Sequence, residues 1–404
     1  MTNDFRNDFP LIAKSSVAYL DNAATAQRPQ CVLDAENDFY LNHNANPLRG
    51  LYPLSVEATE IYENARKAVR AFLNARSAEE IIFTRNTTES LNLVAYSYGL
   101  SHVKAGDEVL VSIMEHHSDL LPWQMVCRQT GATLRFMDCE PDGSLDLNKA
   151  EALFNEKTKL VAITQVSNVL GREYPVRQIA ELAHARGAVV VVDGAQSTPH
   201  MKVDVQALGA DFFAFSGHKV YGPMGIGALY GRRELLEEMP PFLTGGEMIE
   251  SVTRESATFA ELPHKFEAGT VNAAGAAGLR AAIDYIGKVG YGFMREREIA
   301  LVSRTLAAMR EMPHVHVLGS ENPAEHTGIV TFTLDGVHPH DISEILASDG
   351  VAIRAGHHCA QPLLKHLGHL STVRASFAFY NTEAEADRLV ASLSTIRERM
   401  GYGK

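Results

Sequence analysis

Short apolar runs alternate with helical patterns along residues 81–230 of this 404-residue chain. Each run has the length of a strand, and the segments between the runs carry apolar residues at helical spacing. Strands that alternate with helices form a mostly parallel sheet covered by helices on both faces, so the sequence predicts an α/β fold. The seven predicted strands are Ile81–Thr84, Glu108–Ile113, Thr133–Met137, Leu160–Thr164, Ala188–Val192, Phe212–Phe215 and Ile226–Tyr230.

The chain is too long for one ordinary hydrophobic core, so more than one domain is expected. We predict an N-terminal arm over residues 1–24 that packs on the small domain, a large domain over 25–282, and a smaller C-terminal α+β domain over 283–404. A hairpin or an extended excursion is predicted within 247–267. In the small domain we predict strands Ile329–Leu334, Val351–Arg354 and Val373–Phe377, and helix capping boxes at Asp341…Glu344 and Thr382…Glu385.

Charge and composition exclude several classes of partner. A net charge of −12 argues against a nucleic-acid partner, which would need a basic face. No apolar run approaches the roughly 18 residues of a membrane helix, and the N-terminus lacks the apolar region of a signal peptide. The cysteines form no CxxC pair, so neither a metal site nor a disulfide framework is expected. The sequence predicts a cytoplasmic protein without a membrane or nucleic-acid partner.

Lys219 follows the apolar run Phe212–Phe215 in the sequence Ser216-Gly-His-Lys219. The run predicts a buried strand, so Lys219 would lie just beyond its carboxyl end, where ligands gather in such sheets. Partial desolvation there would lower the pKa of the amine and raise its nucleophilicity. A solvated loop lysine is the alternative interpretation.

Another predicted strand ends in polar residues that suit a ring-shaped cofactor. Asp193 closes the apolar run Ala188–Val192 and is followed by Gly194-Ala-Gln196. A carboxylate at that place needs a partner, and a protonated ring nitrogen is one. Gln196 could hydrogen-bond a phenolic oxygen. The alternative is that Asp193 caps a helix.

Hydroxyls and imidazoles follow two further strands. Thr87 and Thr88 open a helix, where hydroxyls and free N–H groups can hold a phosphate, although simple helix capping is the alternative. His116, in Glu115-His-His117, could stack on a flat ring or move protons. A surface histidine pair is the alternative there. The further ligands that a metal would need are missing.

One ligand accounts for all of these residues together, namely pyridoxal 5′-phosphate. It needs a lysine for a covalent link, a carboxylate for its ring nitrogen, hydroxyls for its phosphate and a ring against its face. No GxGxxG follows a predicted strand and no GxxxxGK[ST] occurs, which disfavours nucleotide ligands.

The sequence resembles a known enzyme family along almost its whole length. The matching motifs are Tyr19-Leu-Asp-Asn-Ala-Ala-Thr25, Glu115-His-His117, Ser167-Asn168, Val192-Asp-Gly-Ala-Gln196, Ser216-Gly-His-Lys219 and Arg354-Ala-Gly-His-His-Cys359. They resemble the class V aminotransferase-fold enzymes, and within these the SUF-type (group II) cysteine desulfurases and selenocysteine lyases. The stretches 354–363 and 374–382 are most similar to the cysteine-sulfinate desulfinase branch. The resemblance implies fold type I of the pyridoxal-phosphate-dependent transferases and a homodimer.

The resemblance also implies a role for each matched residue. Lys219 would carry the cofactor, Asp193 would hold its ring nitrogen and Gln196 its ring oxygen. His116 would stack on the ring and transfer protons. The phosphate would be held by Thr87, Thr88, Ser216 and His218, with Thr270 reaching in from a second subunit, and the substrate by Asn168, Arg354 and Arg374.

Cys359 would then be the nucleophile that takes sulfur from L-cysteine as a persulfide, releases L-alanine, and passes the sulfur to an acceptor protein for iron–sulfur cluster assembly or other sulfur metabolism. Selenocysteine and cysteine sulfinate are further substrates that the resemblance implies. Neighbouring Arg354, His357 and His358 would favour the thiolate. The short loop 355–363 would give Cys359 little reach toward a partner. A buried structural thiol is the alternative.

Three positions depart from the family pattern. Asn86 stands where relatives often have glycine before the two threonines, and asparagine also tolerates a left-handed backbone. Leu48 replaces a loop histidine, so an active-site role of that position is in question. Val271 replaces the proline that relatives carry before Asn272.

Other functions compete with cysteine desulfuration. They are a dedicated selenocysteine lyase, a kynureninase-like hydrolase, a small-substrate aminotransferase and an inactive homologue that serves as a scaffold. An aminotransferase has no use for Cys359, and a scaffold would be expected to have lost Lys219 or Cys359. A selenocysteine lyase could keep the same cysteine, so only relative rates on the two substrates separate it.

Overall fold

The structure is a computed structural model that describes residues 4–402. The first three residues of the predicted arm and the last two of the predicted small domain lie outside this range. The strands, in chain order, are β1 (Ala18–Tyr19), β2 (Ile81–Thr84), β3 (Glu108–Ser112), β4 (Thr133–Met137), β5 (Thr158–Thr164), β6 (Val189–Asp193), β7 (Phe212–Ser216), β8 (Gly227–Gly231), β9 (Ile249–Val252), β10 (Ala257–Phe259), β11 (Val315–Leu318), β12 (Ile329–Leu334), β13 (Val351–Ala352), β14 (Arg354–Gly356) and β15 (Thr372–Ser376).

Helices connect these strands, and two of the helices continue into π-helical segments at Phe39–His43 and Val94–Gly99. The α-helices, in chain order, are α1 (Pro10–Lys14), α2 (Gln30–Asp38), α3 (Pro53–Phe72), α4 (Thr87–Leu93), α5 (Leu100–His102), α6 (Leu121–Thr130), α7 (Leu147–Glu151), α8 (Val176–His184), α9 (Val205–Leu208), α10 (Arg233–Glu238), α11 (Ala273–Val289), α12 (Tyr291–Arg310), α13 (Pro339–Ser348), α14 (Gln361–His366) and α15 (Glu383–Arg399).

Seven strands form the central sheet in the order β2-β8-β7-β6-β5-β3-β4. β8 is antiparallel to both of its neighbours, and the other strands all run in one direction. The predicted α/β fold with a seven-stranded, mostly parallel sheet is confirmed, and each strand lies close to its predicted bounds. The carboxyl ends of all these strands except β8 therefore lie along one edge of the sheet.

Both faces of the sheet are buried beneath helices. In β6, Val190 and Val192 face one hydrophobic cluster and Val191 faces the other, because successive side chains of a strand point to opposite faces. The first cluster is completed by α3, α8 and α11, and the second by α4 and α6. Burying a valine side chain stabilises the fold by about 1.5–3 kcal/mol relative to leaving it exposed to water, which favours continuous apolar strands here.

A glycine permits the close approach of β7 at the end of β6. A Cβ on Gly194 would lie 1.8 Å from the ring of Phe213. No side chain fits at that distance, so the residue after Asp193 has to be glycine for the ring to pack there. The sequence Asp193-Gly194 thus fixes the carboxylate at the sheet edge.

The second sheet has the order β11-β12-β15-β14 and is antiparallel throughout. Side chains of α12, α13 and α15 cover it. β1 pairs in parallel with β13, with Ala18 opposite Val351, so a segment of the predicted arm is hydrogen-bonded to a strand of the predicted small domain. The exact domain boundaries stay a prediction.

The structure corrects two local predictions in this region and confirms two. The predicted single strand Val351–Arg354 is wrong, because the chain changes partner at Ile353: β13 pairs with β1, and β14 joins the second sheet. The capping box at Asp341…Glu344 is wrong, because α13 begins earlier, with His338 as its N-cap. The Thr382…Glu385 capping box is present. The predicted hairpin is formed by β9 and β10.

No helix within residues 4–402 is long and apolar enough to cross a membrane. The cytoplasmic location stays a prediction.

Candidate active site

A cavity of about 300 Å³ lies at the edge of the central sheet where the parallel strands end. Its wall combines residues that follow β2, β3, β5, β6 and β7 with residues from the arm and from the second sheet. The predicted site residues that line it are Thr87, Thr88, His116, Asn168, Asp193, Ser216, His218, Lys219, Arg354, Cys359 and Arg374. Gln196 and Thr270 do not line this cavity.

Lys219 lies in a short 3₁₀ turn, Gly217–Lys219, directly after β7. Burial lowers the pKa of its amine to about 8, partly opposed by the carboxylate of Asp193, while Arg374 lowers the pKa further. Lys219 is half-buried and lines the cavity, so the alternative of a solvated loop lysine is wrong. An amine with this pKa is partly uncharged near neutral pH and can act as a nucleophile.

Asp193 is the last residue of β6 and is buried in the cavity wall. Its Oδ1 accepts a hydrogen bond of 2.8 Å from the N–H of Ala195. Burial raises the pKa of Asp193, whereas Lys219 opposes this rise. Residues 195–200 form turns and not a helix, so the alternative that Asp193 caps a helix is wrong. A carboxylate held in this way is available to a cationic ring nitrogen.

Gln196 is buried behind the wall of the cavity. Its Nε2 donates to the backbone oxygen of Ala23 at 2.7 Å, and its Oε1 is buried without a hydrogen-bond partner. Because Ala23 itself lines the cavity, Gln196 supports the arm at this point. The expected contact of Gln196 with the ring oxygen of a cofactor stays a prediction.

Paired hydroxyls occupy the side of the cavity next to α4. The hydroxyls of Thr87 and Ser216 are 2.7 Å apart, and those of Thr88 and Ser118 are also 2.7 Å apart. Asn86 is the N-cap of α4, because its Oδ1 accepts from the N–H of Glu89 at 3.0 Å. The alternative that the threonines serve as caps is therefore wrong, and their hydroxyls are available to an anion. Sequence reasoning missed Ser118.

His116 has a defined tautomer. Its Nδ1 accepts a hydrogen bond of 3.1 Å from the N–H of Ser118, so we assign the proton to Nε2. Burial, and then the charge of Lys219, lowers the pKa of His116 to about 3. The same two causes lower the pKa of His218 to about 4. Both imidazoles are uncharged at neutral pH, and His116 is a cavity residue rather than half of a surface pair.

Arg374 is a buried guanidinium whose nitrogens are only partly used. Its Nη1 donates to the backbone oxygen of Asn168 at 2.8 Å and its Nη2 approaches Asp21 at 3.4 Å, while its Nε is buried without a partner. Burial lowers its pKa to about 10, and Asp21 opposes this change. Arg374 is therefore charged at neutral pH and has capacity for a further anion.

Asp21 binds two of the predicted substrate residues, and sequence reasoning missed it. Its carboxylate accepts from Nη2 of Arg354 at 2.9 Å and from Nη2 of Arg374 at 3.4 Å. The sequence did contain a signal for Asp21, namely an acidic residue directly after the apolar stretch of the arm. Because Asp21 bonds with both arginines, it fixes their relative position at the cavity.

Cys359 lies in a short loop between β14 and α14, and it is exposed. His358 and Cys359 have φ angles of +51° and +55°, in the left-handed region that side chains rarely adopt. Hydrogen bonds of 2.6 Å hold the loop: Nδ2 of Asn168 donates to the oxygen of His358, and the N–H of His117 donates to the oxygen of Cys359. The alternative of a buried structural thiol is wrong.

His358 differs from its expected role. The side chain is buried, with Nε2 2.9 Å from the hydroxyl of Thr372. Burial, and then Arg374, lowers its pKa to about 3, so His358 is neutral. The prediction that His358 favours the thiolate by its charge is therefore wrong, whereas Arg354 keeps its charge through Asp21.

Thr270 and Leu48 lie outside the cavity. Thr270 is exposed and lines a different cavity of about 440 Å³, beside the buried ion pair of Arg66 and Glu267 at 2.7 Å. Leu48 has a φ of +77°, and its N–H donates to the hydroxyl of Thr59 at 2.7 Å. Within one chain, neither residue contributes to the wall around Lys219.

Comparison with known proteins gives consistent matches over the whole described fold. The family model for aminotransferase class-V matches residues 18–389. A cysteine desulfurase of Serratia proteamaculans is 48% identical over 401 residues, which cover 98% of this chain and 98% of that protein.

Solved structures agree with this match. The apo structure of a cysteine desulfurase from Thermococcus onnurineus NA1 superposes with a TM-score of 0.94 at 43% identity, over 99% of this chain and 98% of that one. The cysteine desulfurase CsdA from Escherichia coli, in an S-sulfonic acid form, superposes with a TM-score of 0.91 at 39% identity, over 98% of each chain.

Proposed function

The chain belongs to the class-V aminotransferase family, and on that premise we propose that it is a pyridoxal-phosphate-dependent cysteine desulfurase. It converts L-cysteine to L-alanine and takes the sulfur onto Cys359. The observation that carries this proposal is that an exposed thiol and an amine with a lowered pKa line one cavity. The relatives named cysteine desulfurase, which match this chain over nearly its whole length, support it. An aminotransferase would have no use for the thiol.

The donor set of the cavity fits the cofactor. Asp193 offers a buried carboxylate to the ring nitrogen, and the hydroxyls of Thr87 and Ser216 are positioned for a phosphate. Lys219 would hold the group covalently. When bound, pyridoxal phosphate supplies an electron sink for electrons released at the α-carbon of the substrate.

The buried arginine is suited to the carboxylate of the amino-acid substrate. Its free Nε, together with Nη2, forms the planar fork that binds a carboxylate with two parallel hydrogen bonds. Asn168 keeps the guanidinium in place through its backbone oxygen. Arg374 would thereby hold the substrate in the cavity whose wall also includes Cys359.

Cys359 performs the sulfur transfer. Its thiolate attacks the sulfur of the substrate, so that a new S–S bond forms while the carbon–sulfur bond breaks. The electron pair of the broken bond leaves with the carbon fragment, which takes up a proton and becomes alanine. The guanidinium of Arg354, held by Asp21, provides positive charge in the cavity that the thiol also lines.

His116 holds a proton at Nε2, because Nδ1 is occupied by the N–H of Ser118. The neutral ring can lie flat against the cofactor without adding a second charge beside Lys219. A proton held at a fixed atom of a residue that lines the cavity would be suited to transfer during the reaction.

Mass spectrometry tests the proposed function. After incubation with L-cysteine, the peptide that contains Cys359 should gain one sulfur atom. Cys359→Ala should lose both this mass increase and alanine production. Cys31→Ala removes another exposed thiol and should leave both unchanged. Alanine production that persists in Cys359→Ala would contradict sulfur transfer through this residue.

We further propose that the enzyme belongs to the SUF-type (group II) branch, close to the cysteine-sulfinate desulfinases, and that it depends on a sulfur-acceptor protein. The short loop around Cys359 supports this, because the hydrogen bonds from Asn168 and His117 restrict its movement. A thiol acceptor should therefore raise turnover of cysteine. Values of kcat/KM for cysteine, selenocysteine and cysteine sulfinate would establish the substrate preference. Equal turnover with and without any acceptor or reductant would contradict the dependence.

We also propose a homodimer in which Thr270 serves the cavity of the partner subunit. Thr270 is exposed and lies away from the Lys219 cavity of its own chain. Large apolar side chains are exposed elsewhere on the large domain, including Leu51 at 97% and Met224 at 65%. Apolar exposure of this kind is typical of an interface. Sedimentation of the cofactor-bound protein as a monomer would contradict the dimer.

A further inference from the structure

Two buried carboxyl groups beneath the cavity have no role in the mechanism above. Glu115 and Asp119 are 1% and 0% exposed, respectively. One oxygen of each group is satisfied: Oε1 of Glu115 accepts from the N–H of Thr164 at 2.7 Å, and Oδ1 of Asp119 accepts from Nε1 of Trp123 at 2.8 Å. The other oxygens, Oε2 of Glu115 and Oδ2 of Asp119, are buried without a donor from any protein group.

The two carboxyl groups lie within hydrogen-bonding reach of each other. Two ionised carboxylates at that distance would repel each other, and each would keep an unsatisfied buried oxygen. A single proton removes both problems, since one group becomes a hydroxyl donor and the other remains the acceptor.

We propose that Glu115 and Asp119 share one proton in the folded enzyme and act as a positioning pair for His116 and Asp193. Glu115 directly precedes His116 in the chain. Through the N–H of Thr164 it is also tied to the residue that stands opposite Asp193 in the β5–β6 register. The pair therefore connects the imidazole on the cavity wall to the strand that carries the carboxylate.

The surroundings keep the proton in place at neutral pH. Burial raises the pKa of Glu115, and burial followed by the charge of Glu115 raises that of Asp119. The titratable groups that face the pair are Asp193 on β6, whose negative charge acts in the same direction, and Tyr174 ahead of α8. Burial raises the pKa of Tyr174, so this side chain is neutral.

Proton release on unfolding tests the pair. At pH 6.5 the unfolded chain has ionised both carboxyl groups, because their ordinary pKa values are about 4. The folded chain keeps one proton on the pair. Unfolding the apoenzyme in unbuffered guanidinium chloride should therefore release one proton more from the wild type than from Glu115→Gln, in which the amide donates to Asp119. Asp119→Asn should match Glu115→Gln.

The matched control is Glu80→Gln. Glu80 is also buried, but its carboxylate accepts from the N–H groups of Arg76 and Ser77 and does not face an acid. Its substitution should leave the number of released protons at the wild-type value. Equal proton release from the wild type, Glu115→Gln and Asp119→Asn would overturn the proposal. Release of two more protons from the wild type than from either variant would overturn it as well.

The positioning role rests on the proposed function, whereas the proton count does not. Glu115→Gln retains the acceptor for Thr164, so its kcat/KM at pH 7 should stay within about threefold of wild type. Glu115→Ala removes that anchor and should lower kcat/KM about tenfold or more. If proton release follows expectation while both variants retain wild-type kcat/KM, the shared proton stands and the positioning role is excluded.

Discussion

At the scale of single residues, burial decides the charge of the groups around the cavity. Burial lowers the pKa of the imidazoles of His116 and His218 far enough to keep them neutral, and it brings that of Lys219 close to the physiological range. Arg374 remains charged although it is buried, because its usual pKa is so high. The cavity therefore combines a weakly basic amine with a permanent cation.

The lowered pKa of Lys219 predicts the pH dependence of its reactivity in the apoenzyme. Only the uncharged amine reacts, so the rate of modification by an amine-specific reagent should rise with pH and level off above about pH 8. Quantitative mass spectrometry of the Lys219 peptide measures this rate. In Asp193→Asn, the plateau should begin at a lower pH, because the carboxylate favours the ammonium form. A rate that keeps rising to the pH of an ordinary lysine would contradict the prediction.

Asp21→Asn should weaken both stability and substrate binding. The substitution removes the carboxylate that faces a buried guanidinium, so the free energy of unfolding should fall by about 2–3 kcal/mol. This is less than the loss expected when a completely buried ion pair loses one partner, because Asp21 is partly exposed. The KM for cysteine should rise about tenfold, because Arg374 loses its orientation. Denaturant titration and steady-state kinetics measure the two effects.

Arg354→Gln provides the comparison for Asp21→Asn. The side chain of Arg354 is 48% exposed, so its ion pair with Asp21 should contribute less than about 1 kcal/mol. Equal destabilisation by the two variants would contradict the view that Arg374 is the arginine that most needs Asp21.

The candidate site was predictable from the sequence where a residue follows a strand. Asp193 and Lys219 directly end or follow apolar runs, and parallel strands bring such positions to one edge. Asp21 and Ser118 were not predictable by that argument. Asp21 follows a two-residue strand outside the central sheet, and Ser118 acts through hydrogen bonds to His116 and Thr88 that no spacing indicates.

At the scale of elements, strands buried on both faces were predicted well, whereas β11, β13 and β14 were not. The seven central strands carry continuous apolar runs that survive in the sequence as a clear signal. β11 was missed, since only one of its residues is fully buried. β13 and β14 merged into one predicted strand, because the switch of partner at Ile353 depends on contacts with the arm.

Gly194→Ala should show how tightly β6 and β7 approach each other. The added methyl group would meet the ring of Phe213, so the free energy of unfolding should fall by about 1–3 kcal/mol or more. Gly287 lies in α11 with open space around its Cβ position, and Gly287→Ala should raise stability by about 0.5–1 kcal/mol. Thermal unfolding of the two variants, which carry the same chemical change, should give shifts of opposite sign.

At the scale of the whole molecule, the wall of the cavity around Lys219 does not include Thr270 of the same chain, which lines a different cavity. If that residue serves the partner subunit, each active site of the dimer is composed of two chains. Cofactor binding and dimer formation would then be coupled, because the ligand binds only the assembled form.

Subunit mixing tests this arrangement. Thr270→Ala and Lys219→Ala should each be impaired alone. A mixed dimer of the two should regain one intact site, which combines Lys219 of one chain with Thr270 of the other. Activity should therefore rise after the two variants are unfolded together and refolded. No gain over the separate variants would show that Thr270 acts within its own chain or not at all.

The contact between Asp21 and Arg374 joins residues 353 positions apart in the chain. During synthesis, the first of these residues leaves the ribosome long before the second has been made. The central sheet can assemble in the meantime, since its strands end at Gly231. The cavity wall, however, is complete only after the last quarter of the polypeptide has emerged. A prematurely terminated product would therefore have the sheet and Lys219 but neither Arg374 nor Cys359, and it would not be a working enzyme.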